Sequence, residues 1–304
     1  MSEQLRFQQG AVVANGVRLH YLDWGGRGTP LVFLAGFGNT PHFFDSLARQ
    51  LTDRFRVVGL TRRGHGASER PETGYDIATL ARDIVGFLDA LGFERAAFVG
   101  HSFAGSEMVE LATAHADRVD KLVFLDALYE YEKSDLELFG ANPLRVSVPP
   151  PETFESADAY SRDFVARYPA YRGLRTPTWD EALSHALERA PDGRFQERLR
   201  PPLADQMGSS RFEYRADWRR IRCPVLALYA FPGETWSVPA DAAPGVQDAV
   251  RAYTARMDRE YRGRNIAHAR RDIRTLHLVE LRDTSHFCFL DREDAVVESL
   301  RGFL

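Results

Sequence analysis

One decapeptide decides the fold of this chain, and it reads Ala96-Ala97-Phe98-Val99-Gly100-His101-Ser102-Phe103-Ala104-Gly105. Its first four residues are small or apolar, which is typical of a buried strand, and a helical pattern runs from Phe103 to about residue 115. A serine between a strand and a helix lies on a strained turn that lifts its hydroxyl above the sheet edge. The usual pattern is Gly-x-Ser-x-Gly, whereas here Ala104 precedes the second glycine, Gly105. We therefore predict that Ser102 is a nucleophile; the alternative is a serine that only caps the helix.

Length and composition favour a large α/β protein. The 304 residues, 44% of them hydrophobic, suffice for one α/β domain with an insertion or for two domains. The formal net charge of −4 does not favour nucleic acid or an anionic membrane as a partner. Residues 1–6 lack the apolar core of a signal peptide, and no apolar run approaches the ~18 residues that span a bilayer. We expect a cytoplasmic protein that takes a small-molecule substrate; its oligomeric state stays open, with a homodimer as one alternative.

Strands and helices alternate over the first part of the chain. Asn15-Gly16 lies between two strand-like runs, so the chain is expected to open with an antiparallel hairpin. Besides the strand before Ser102, the predicted elements are strands at 30–34, 56–60 and 122–125 and helices at 41–51 and 76–91. Alternation from residue 30 to 126 predicts a parallel sheet with crossover helices, which the antiparallel start makes mixed.

The alternation breaks between Tyr129 and about Trp218. This stretch has proline clusters, many aromatic residues and helical patches such as 178–190, and it predicts a largely helical insertion. The remaining predicted elements are a strand at 225–229, an arginine-rich helix at about 245–271, a strand at 275–281 and a helix at 292–303. The arginines between residues 251 and 274 are expected to form a solvated face.

Three further stretches follow predicted strands. Two are glycine-rich loops, Leu34-Ala35-Gly36-Phe37-Gly38 and Thr61-Arg62-Arg63-Gly64-His65-Gly66-Ala67-Ser68. The third, Asp283-Thr284-Ser285-His286-Phe287, lies between the last strand and the last helix, and of the nine histidines only His286 has that place. Together with the serine turn, these features occur in the order found in α/β-hydrolases, and the chain resembles that family over roughly two-thirds of its length.

The resemblance implies a fold and a division into domains. The fold is a mostly parallel, eight-stranded mixed sheet flanked by helices. Residues 1–127 and 219–304 would form this α/β-hydrolase core, and residues 128–218 would form a helical cap inserted after the sixth strand. The aromatic residues of the cap would line a substrate pocket; the alternative is that they pack the cap helices against one another.

The resemblance also implies roles for individual residues. Serine is a weak nucleophile that needs an adjacent base, and His286 stands where the family places that base. The backbone amides of Phe37 and Phe103 would form the oxyanion hole. Because amides stabilise the oxyanion, Ala35 in place of the family's usual histidine leaves this role intact.

Two other histidines are expected to be structural. The loop that contains His65 supports the site in the family, so this side chain is expected to be a hydrogen-bonding group and not a base. His101 points away from the neighbouring Ser102 and is expected either to pack beside the site or to support a residue that acts there.

The carboxylate that orients the base is open between two positions. This acid must hold the imidazole and stabilise its protonated form. In the family it commonly follows the seventh strand, where Glu234 lies about one residue late, but some relatives place it after the sixth strand, where Asp126 stands. We favour Asp126, and rank Asp283 third because it is too close in sequence to His286. Without that role, Asp126 would bind loop amides and Glu234 would be solvated.

The predicted chemistry is acyl transfer. The expected activity is hydrolysis of a small, apolar carboxylic ester through an acyl-serine intermediate, with no metal or cofactor, since the sequence has neither a metal-binding nor a phosphate-binding motif. An aspartate in place of Ser102 would have implied epoxide or haloalkane substrates. The same residues also allow hydrolysis of a thioester, an amide or a carbon–carbon bond. A different class remains as an alternative, namely a non-catalytic small-molecule-binding protein on the same scaffold.

Overall fold

The strand that precedes Ser102 lies inside an eight-stranded sheet. The protein is described by a computed structural model that covers residues 7–145 and 150–304. In chain order, the strands of the described residues are β1 (Gln8–Ala14), β2 (Val17–Gly25), β3 (Pro30–Leu34), β4 (Arg56–Leu60), β5 (Ala96–His101), β6 (Val119–Leu125), β7 (Leu187–Arg189), β8 (Phe195–Glu197), β9 (Val225–Phe231) and β10 (Leu276–Arg282). β7 and β8 form a separate two-stranded hairpin.

The topology of the large sheet confirms the predicted fold class. Its strand order is β1-β2-β4-β3-β5-β6-β9-β10. β1 pairs with β2 and β2 with β4 in antiparallel fashion, and all other neighbours are parallel. β5 therefore lies between β3 and β6, with Val99 opposite both Phe33 and Val123. This central position delivers Ser102 to the middle of the sheet's carboxyl edge.

Helices cover both faces of the sheet. In chain order, the α-helices of the described residues are α1 (Asp45–Arg49), α2 (Ile77–Ala90), α3 (Ala104–Ala114), α4 (Asp135–Gly140), α5 (Ala157–Arg167), α6 (Pro177–Ser184), α7 (Leu203–Glu213), α8 (Gly233–Ser237), α9 (Pro244–Met257), α10 (Arg264–Asp272), α11 (Cys288–Asp291) and α12 (Glu293–Phe303). Short 3₁₀ turns occur at Pro41–Phe44, Ala116–Arg118, Pro169–Leu174 and Trp218–Arg220, and a π turn occurs at Asp258–Gly263. Among the described residues, no helix combines the length and apolarity that crossing a membrane would need.

The central strands are buried on both faces. In β5, Phe98 belongs to one apolar cluster and its neighbour Val99 to another, because successive side chains of a strand point to opposite faces. α2 covers the first face with residues such as Ile84 and Phe87, and its first turn is capped by the side chain of Asp76. Burial of each large apolar side chain contributes about 1.5–3 kcal/mol, so these two clusters hold the sheet edge rigid.

Most of the regular secondary structure between β6 and β9 is helical, as expected of the cap segment (residues 128–218). The described part of this segment contains α4 to α7 and also the hairpin of β7 and β8. The helical patch predicted at 178–190 is wrong at its end, because α6 stops at Ser184 and Leu187–Arg189 is a strand. The exact division into core and cap stays a prediction.

Rings from α6 and the residues next to it pack on the 3₁₀ turn that precedes α1. The ring of His185, just after α6, stacks on the ring of His42 with 3.4 Å between centroids, and Trp179 packs edge-on against Phe43 at 5.2 Å. Burial, followed by the charges of nearby histidines, lowers the pKa of His42 to about 3. The stack is therefore neutral at His42, and the cap segment rests on the core through apolar and aromatic contacts.

The predicted arginine-rich helix is interrupted. α9 and α10 are joined by the π turn Asp258–Gly263. The expectation that the arginines between residues 251 and 274 are solvated is wrong for Arg262. Only 14% of its side chain is exposed, and it donates a hydrogen bond to Asp258 Oδ1 at 2.7 Å. The wider π turn adds a residue to the helix and so changes which side chains face the core.

Gly105 explains the displaced glycine of the serine turn. A Cβ atom at this residue would lie 1.7 Å from the carbonyl oxygen of Ala127, which follows the end of β6. α3 therefore approaches the chain after β6 so closely that residue 105 must be glycine. Ala104 is buried where the usual pattern has glycine, and the turn accepts its methyl group.

Exchanging the two small residues tests this packing. We expect Gly105→Ala to lower the free energy of unfolding by roughly 3 kcal/mol, because the new methyl group overlaps a backbone oxygen that cannot move alone. The matched control Ala104→Gly should lose about 1 kcal/mol, the ordinary difference between these residues in a helix. Urea denaturation of both variants measures the difference. Equal losses would show that residue 105 is not constrained by Ala127.

Candidate active site

Three non-glycine residues that directly follow parallel strands of the sheet have a left-handed backbone conformation. Ser102 follows β5 with φ of 53°, Asp126 follows β6 with φ of 47°, and Asp283 follows β10 with φ of 52°. Such a conformation costs a non-glycine residue about 1–2 kcal/mol, and residues of this kind cluster at functional sites. Because parallel strands end at one edge of the sheet, the three strained turns lie along that edge.

The turn at Ser102 has the predicted form. β5 ends at His101, α3 begins at Ala104, and the half-buried Ser102 lies between them. The first glycine-rich loop passes directly beside it. A Cβ atom at Gly36 would lie 3.2 Å from the Cβ atom of Ser102 and 3.0 Å from Nδ1 of His101. Glycine at residue 36 thus allows this loop to approach the serine.

His286 and Asp126 are in contact although 160 residues separate them. Nδ1 of His286 lies 2.6 Å from Oδ2 of Asp126. The carboxylate is buried, with 2% of its side chain exposed, whereas 31% of the imidazole is exposed. The ring of His286 lies 4.5 Å from the ring of His101, the neighbour of Ser102. The structure therefore brings the predicted base, the preferred candidate acid and the serine turn together, and no hydrogen-bond partner from residues 7–145 and 150–304 contacts Nε2 of His286.

Asp126 receives hydrogen bonds on both carboxylate oxygens. Oδ1 accepts from the amide of Ala230 at 3.0 Å and from the hydroxyl of Tyr129. Burial alone would raise the pKa of Asp126. The hydrogen bond and charge of His286, the charge of Arg262 and the hydrogen bond of Tyr129 outweigh burial, so this pKa lies below its usual value. Asp126 is therefore ionised at neutral pH.

The structure does not bring the alternative acid to His286. The chain turns into α8 directly after β9, and Glu234 in this helix is 73% exposed and pairs with Arg251 Nε at 2.8 Å. Asp283 accepts a hydrogen bond from the hydroxyl of Thr235 at 3.2 Å. Both carboxylates have partners other than His286.

Two backbone amides beside Ser102 are free. Within residues 7–145 and 150–304, no group accepts a hydrogen bond from the amide of Phe37 or of Phe103. The two rings lie 5.9 Å apart, so the first glycine-rich loop and the start of α3 adjoin. Free amides beside a half-buried serine suit an oxygen that develops negative charge.

His65 is a structural histidine, as expected. Its Nδ1 donates to the carbonyl oxygen of Arg63 at 3.0 Å, and its Nε2 accepts from the amide of Gly38 at 3.1 Å. Burial, followed by the charge of Arg62, lowers its pKa to about 3, which fits the neutral form that these two bonds require. His65 therefore fixes the loop that contains Phe37.

Sequence reasoning missed the buried ion pair of Arg62 and Glu107. The guanidinium donates to both oxygens of Glu107, at 2.6 and 2.5 Å, and also to the carbonyl oxygen of Ala35 at 2.8 Å. Only 7% of the Arg62 side chain and 2% of the Glu107 side chain are exposed. The sequence feature that could have indicated this pair is Glu107, a charged residue on the stretch of α3 that otherwise buries small and apolar side chains.

His101 does more than pack. It is 2% exposed, and its Nε2 donates to the carbonyl oxygen of His286 at 2.9 Å. Burial, followed by the charge of His286, lowers the pKa of His101 well below its usual value, so the ring stays neutral. The residue before the serine therefore anchors the loop that contains His286.

Aromatic rings from the core and the cap segment meet at Phe287, the residue after His286. Its ring lies 5.6 Å from Phe43, 5.2 Å from Tyr171 and 5.0 Å from Trp179. Trp179 is 2% exposed, so this contact is closed to solvent. These rings therefore pack the cap segment onto the core beside His286.

Metal-binding side chains are not gathered in the described part of the chain. No group of three histidine, cysteine or acidic side chains there could hold a metal ion. Both cysteines are free thiols, and Cys288 is buried.

The fold and the site together define a class of protein. In this class, the carboxyl edge of the sheet of an α/β fold holds a strained serine turn, here at Ser102, and a contacting pair of aspartate and histidine, here Asp126 and His286. The chain matches the alpha/beta hydrolase family over residues 31–299 and therefore belongs to that family of enzymes. This confirms the resemblance inferred from the sequence motifs.

Individual relatives support the same assignment. Epoxide hydrolase A of Mycobacterium tuberculosis is 34% identical over 214 residues, which cover 63% of this chain and 62% of that protein. 2-(acetamidomethylene)succinate hydrolase of Mesorhizobium japonicum is 33% identical over 144 residues, 47% of this chain and 50% of that protein. A crystal structure of E-2-(acetamidomethylene)succinate hydrolase has a TM-score of 0.72 over 98% of both chains at 23% identity, a likeness of fold alone. The chain spans about half the length of the curated relatives it matches.

Removal of one charge tests the buried ion pair. We expect Glu107→Gln to lower the free energy of unfolding by about 3 kcal/mol or more, because Arg62 then keeps an uncompensated charge in the interior. The matched control is Glu110→Gln on the same helix, where the glutamate accepts a hydrogen bond from the hydroxyl of Tyr214 at 2.9 Å; it should lose about 1 kcal/mol. Urea denaturation measures both values, and a Glu107→Gln variant as stable as the control would contradict the assignment.

Proposed function

We propose that the protein is a serine hydrolase that cleaves a small, apolar carboxylic ester through an acyl-serine intermediate. The observation that carries this proposal is the 2.6 Å contact between His286 Nδ1 and Asp126 Oδ2 beside the strained turn of Ser102. A histidine whose Nδ1 is held by a buried carboxylate has its other nitrogen free to take a proton from a serine hydroxyl.

The proposed reaction assigns one step to each group. Ser102 Oγ attacks the ester carbonyl carbon while His286 takes the hydroxyl proton, and Asp126 stabilises the resulting imidazolium. The amides of Phe37 and Phe103 donate to the oxyanion of the tetrahedral intermediate. The intermediate collapses, His286 returns the proton to the leaving alcohol, and an acyl-serine remains. Water then attacks the acyl carbon while His286 takes its proton, and this second intermediate collapses as His286 returns the proton to Ser102 Oγ and the carboxylic acid leaves.

The identity of the nucleophile argues against epoxide substrates, although the Mycobacterium tuberculosis relative is named an epoxide hydrolase. A nucleophile that opens an epoxide becomes bonded to carbon through its own oxygen. From an aspartate this bond is an ester that water can cleave, whereas from Ser102 it would be an ether, which general acid–base chemistry does not hydrolyse. Attack of Ser102 on a carbonyl instead gives an acyl ester that water can release.

The proposed preference for apolar groups rests on the ring of Phe37, because the rings of Phe43 and Trp179 near Phe287 are buried in the contact between the cap segment and the core. Phe37, whose amide is a candidate oxyanion donor, is 38% exposed. Transfer of an apolar acyl or alcohol group from water to such a surface is favourable by about 25 cal/mol for each Å² that is buried.

An active-site probe tests the enzyme class. A fluorophosphonate should label the folded protein at Ser102, because only a serine activated by a base attacks the phosphorus readily. Ser102→Ala should not be labelled. Ser106→Ala, which removes a buried hydroxyl one turn further along α3, is the matched control and should keep full labelling. Absence of labelling in native, folded protein would contradict the proposal and favour a non-catalytic binding protein.

Two carboxylate variants test the acid. With a short-chain p-nitrophenyl ester, Asp126→Asn should lower kcat by about 10³–10⁴-fold, because the imidazole loses its orienting charge. Glu234→Gln should stay within about twofold of native, since an exposed ion pair contributes little. Full turnover by Asp126→Asn would show that another group orients His286.

A further inference from the structure

We infer that Tyr129 is a positioning residue for Asp126. The hydroxyl of Tyr129 takes up part of the charge of the Asp126 carboxylate and so sets how strongly Asp126 stabilises protonated His286. The inference rests on the proposed function, because it needs Asp126 to act as the acid. It adds a fourth side chain to the proposed Ser102–His286–Asp126 set, at the point where the cap segment leaves the core.

Tyr129 and His286 contact opposite oxygens of one carboxylate. The hydroxyl of Tyr129 donates to Oδ1 of Asp126, and Nδ1 of His286 faces Oδ2. Tyr129 is 6% exposed, so water does not compete freely for this bond. The amide of Ala230 is a second donor to Oδ1, at 3.0 Å. A donor on Oδ1 therefore acts on the same ionised group that orients the base.

Packing fixes the ring of Tyr129. It stacks on Tyr261 with 4.8 Å between centroids and an interplanar angle of 16°, and it meets Tyr229 edge-on at 5.4 Å. Burial, followed by the charge of Asp126, raises the pKa of Tyr129 well above its usual value. The hydroxyl thus keeps its proton over the whole working range and remains a donor.

The direction of the effect follows from charge. A donor on Oδ1 stabilises negative charge there and leaves less for Oδ2. Without the Tyr129 hydroxyl, Oδ2 would attract the imidazolium of His286 more strongly, and the acidic limb of the rate profile would move to a higher pH. The carboxylate would also lose one constraint on its rotation, which weakens the alignment that catalysis needs.

Other groups around the pair keep their charge in this range. Arg262, from the π turn, is a cation whose field reaches both Asp126 and Tyr129. His101 is held neutral by burial, and burial also raises the pKa values of Tyr171, Tyr229 and Cys288, which all feel the charge of Asp126. A movement of the acidic limb of the rate profile therefore reports on the Asp126–His286 pair.

The test compares two tyrosines of one cluster. Tyr129→Phe removes only the hydroxyl that contacts Asp126. Tyr229→Phe is the matched control, because its hydroxyl donates to the carbonyl oxygen of Leu128 at 2.8 Å and not to Asp126. The pH dependence of kcat and kcat/KM is measured for both with a p-nitrophenyl ester, and urea denaturation records their stability.

For Tyr129→Phe we expect the acidic limb of kcat/KM to move up by about half a pH unit. We also expect kcat to fall about fivefold, as for one lost hydrogen bond, with KM little changed. Tyr229→Phe should lower the free energy of unfolding by a similar amount, but its kcat and the acidic limb of its kcat/KM profile should match those of the native protein. An unmoved limb in Tyr129→Phe, or equal limbs in both variants, would overturn the inference. If Asp126→Asn stays active, the proposed acid itself is wrong. If Asp126→Asn is inactive but the acidic limb of Tyr129→Phe does not move, the proposed function stands and only the role of Tyr129 is wrong.

Discussion

The buried ion pair of Arg62 and Glu107 is the interaction on which the geometry of the site depends. It joins three segments beneath the serine, namely the loop after β4 that contains Arg62, the helix α3 that contains Glu107, and the first glycine-rich loop, through the carbonyl oxygen of Ala35. The guanidinium also lies 5.0 Å from the ring centre of Phe103. A buried ion pair adds little net stability but is costly to break. Its effect here is therefore to allow one arrangement of the two candidate oxyanion amides around Ser102.

Strain at the carboxyl edge of the sheet is the second constraint. Ser102, Asp126 and Asp283 each turn the chain sharply at the end of a strand, and each adopts a positive φ without being glycine. Close contacts hold these turns, such as the bond from the amide of Ser102 to the carbonyl oxygen of Leu125 at 3.4 Å. Because the strands are parallel, residues far apart in sequence are delivered to one edge. The sheet order, with β6 between β5 and β9, explains why Asp126 and His286 can meet.

Local signals predicted the serine turn, and chain order predicted His286, but neither could choose the acid. The choice depends on the direction in which the chain leaves β9, and α8 turns Glu234 toward Arg251 in a way that no short motif encodes. Arg262 was missed because helical periodicity assumes 3.6 residues per turn, and the π turn shifts the buried face. A packing or a supporting role was expected for His101, but its bond to the carbonyl oxygen of His286 could not be predicted, since it is a contact across 185 residues.

The carboxylate of Asp126 has two requirements to meet, ionisation in the resting state and orientation of His286, and its two oxygens have different neighbours. In the resting state the acid must be ionised while His286 is neutral, and a buried carboxylate without donors would instead take up a proton. His286 and the charge of Arg262 meet most of this requirement, and the hydrogen bonds from the amide of Ala230 and the hydroxyl of Tyr129 to Oδ1 add to it. During the proposed reaction the imidazole becomes charged, and Oδ2 faces it at 2.6 Å. Because the donors at Oδ1 stabilise the carboxylate without contacting His286, Oδ2 is left to orient the proposed base, whose Nε2 takes the proton of Ser102 in the proposed reaction.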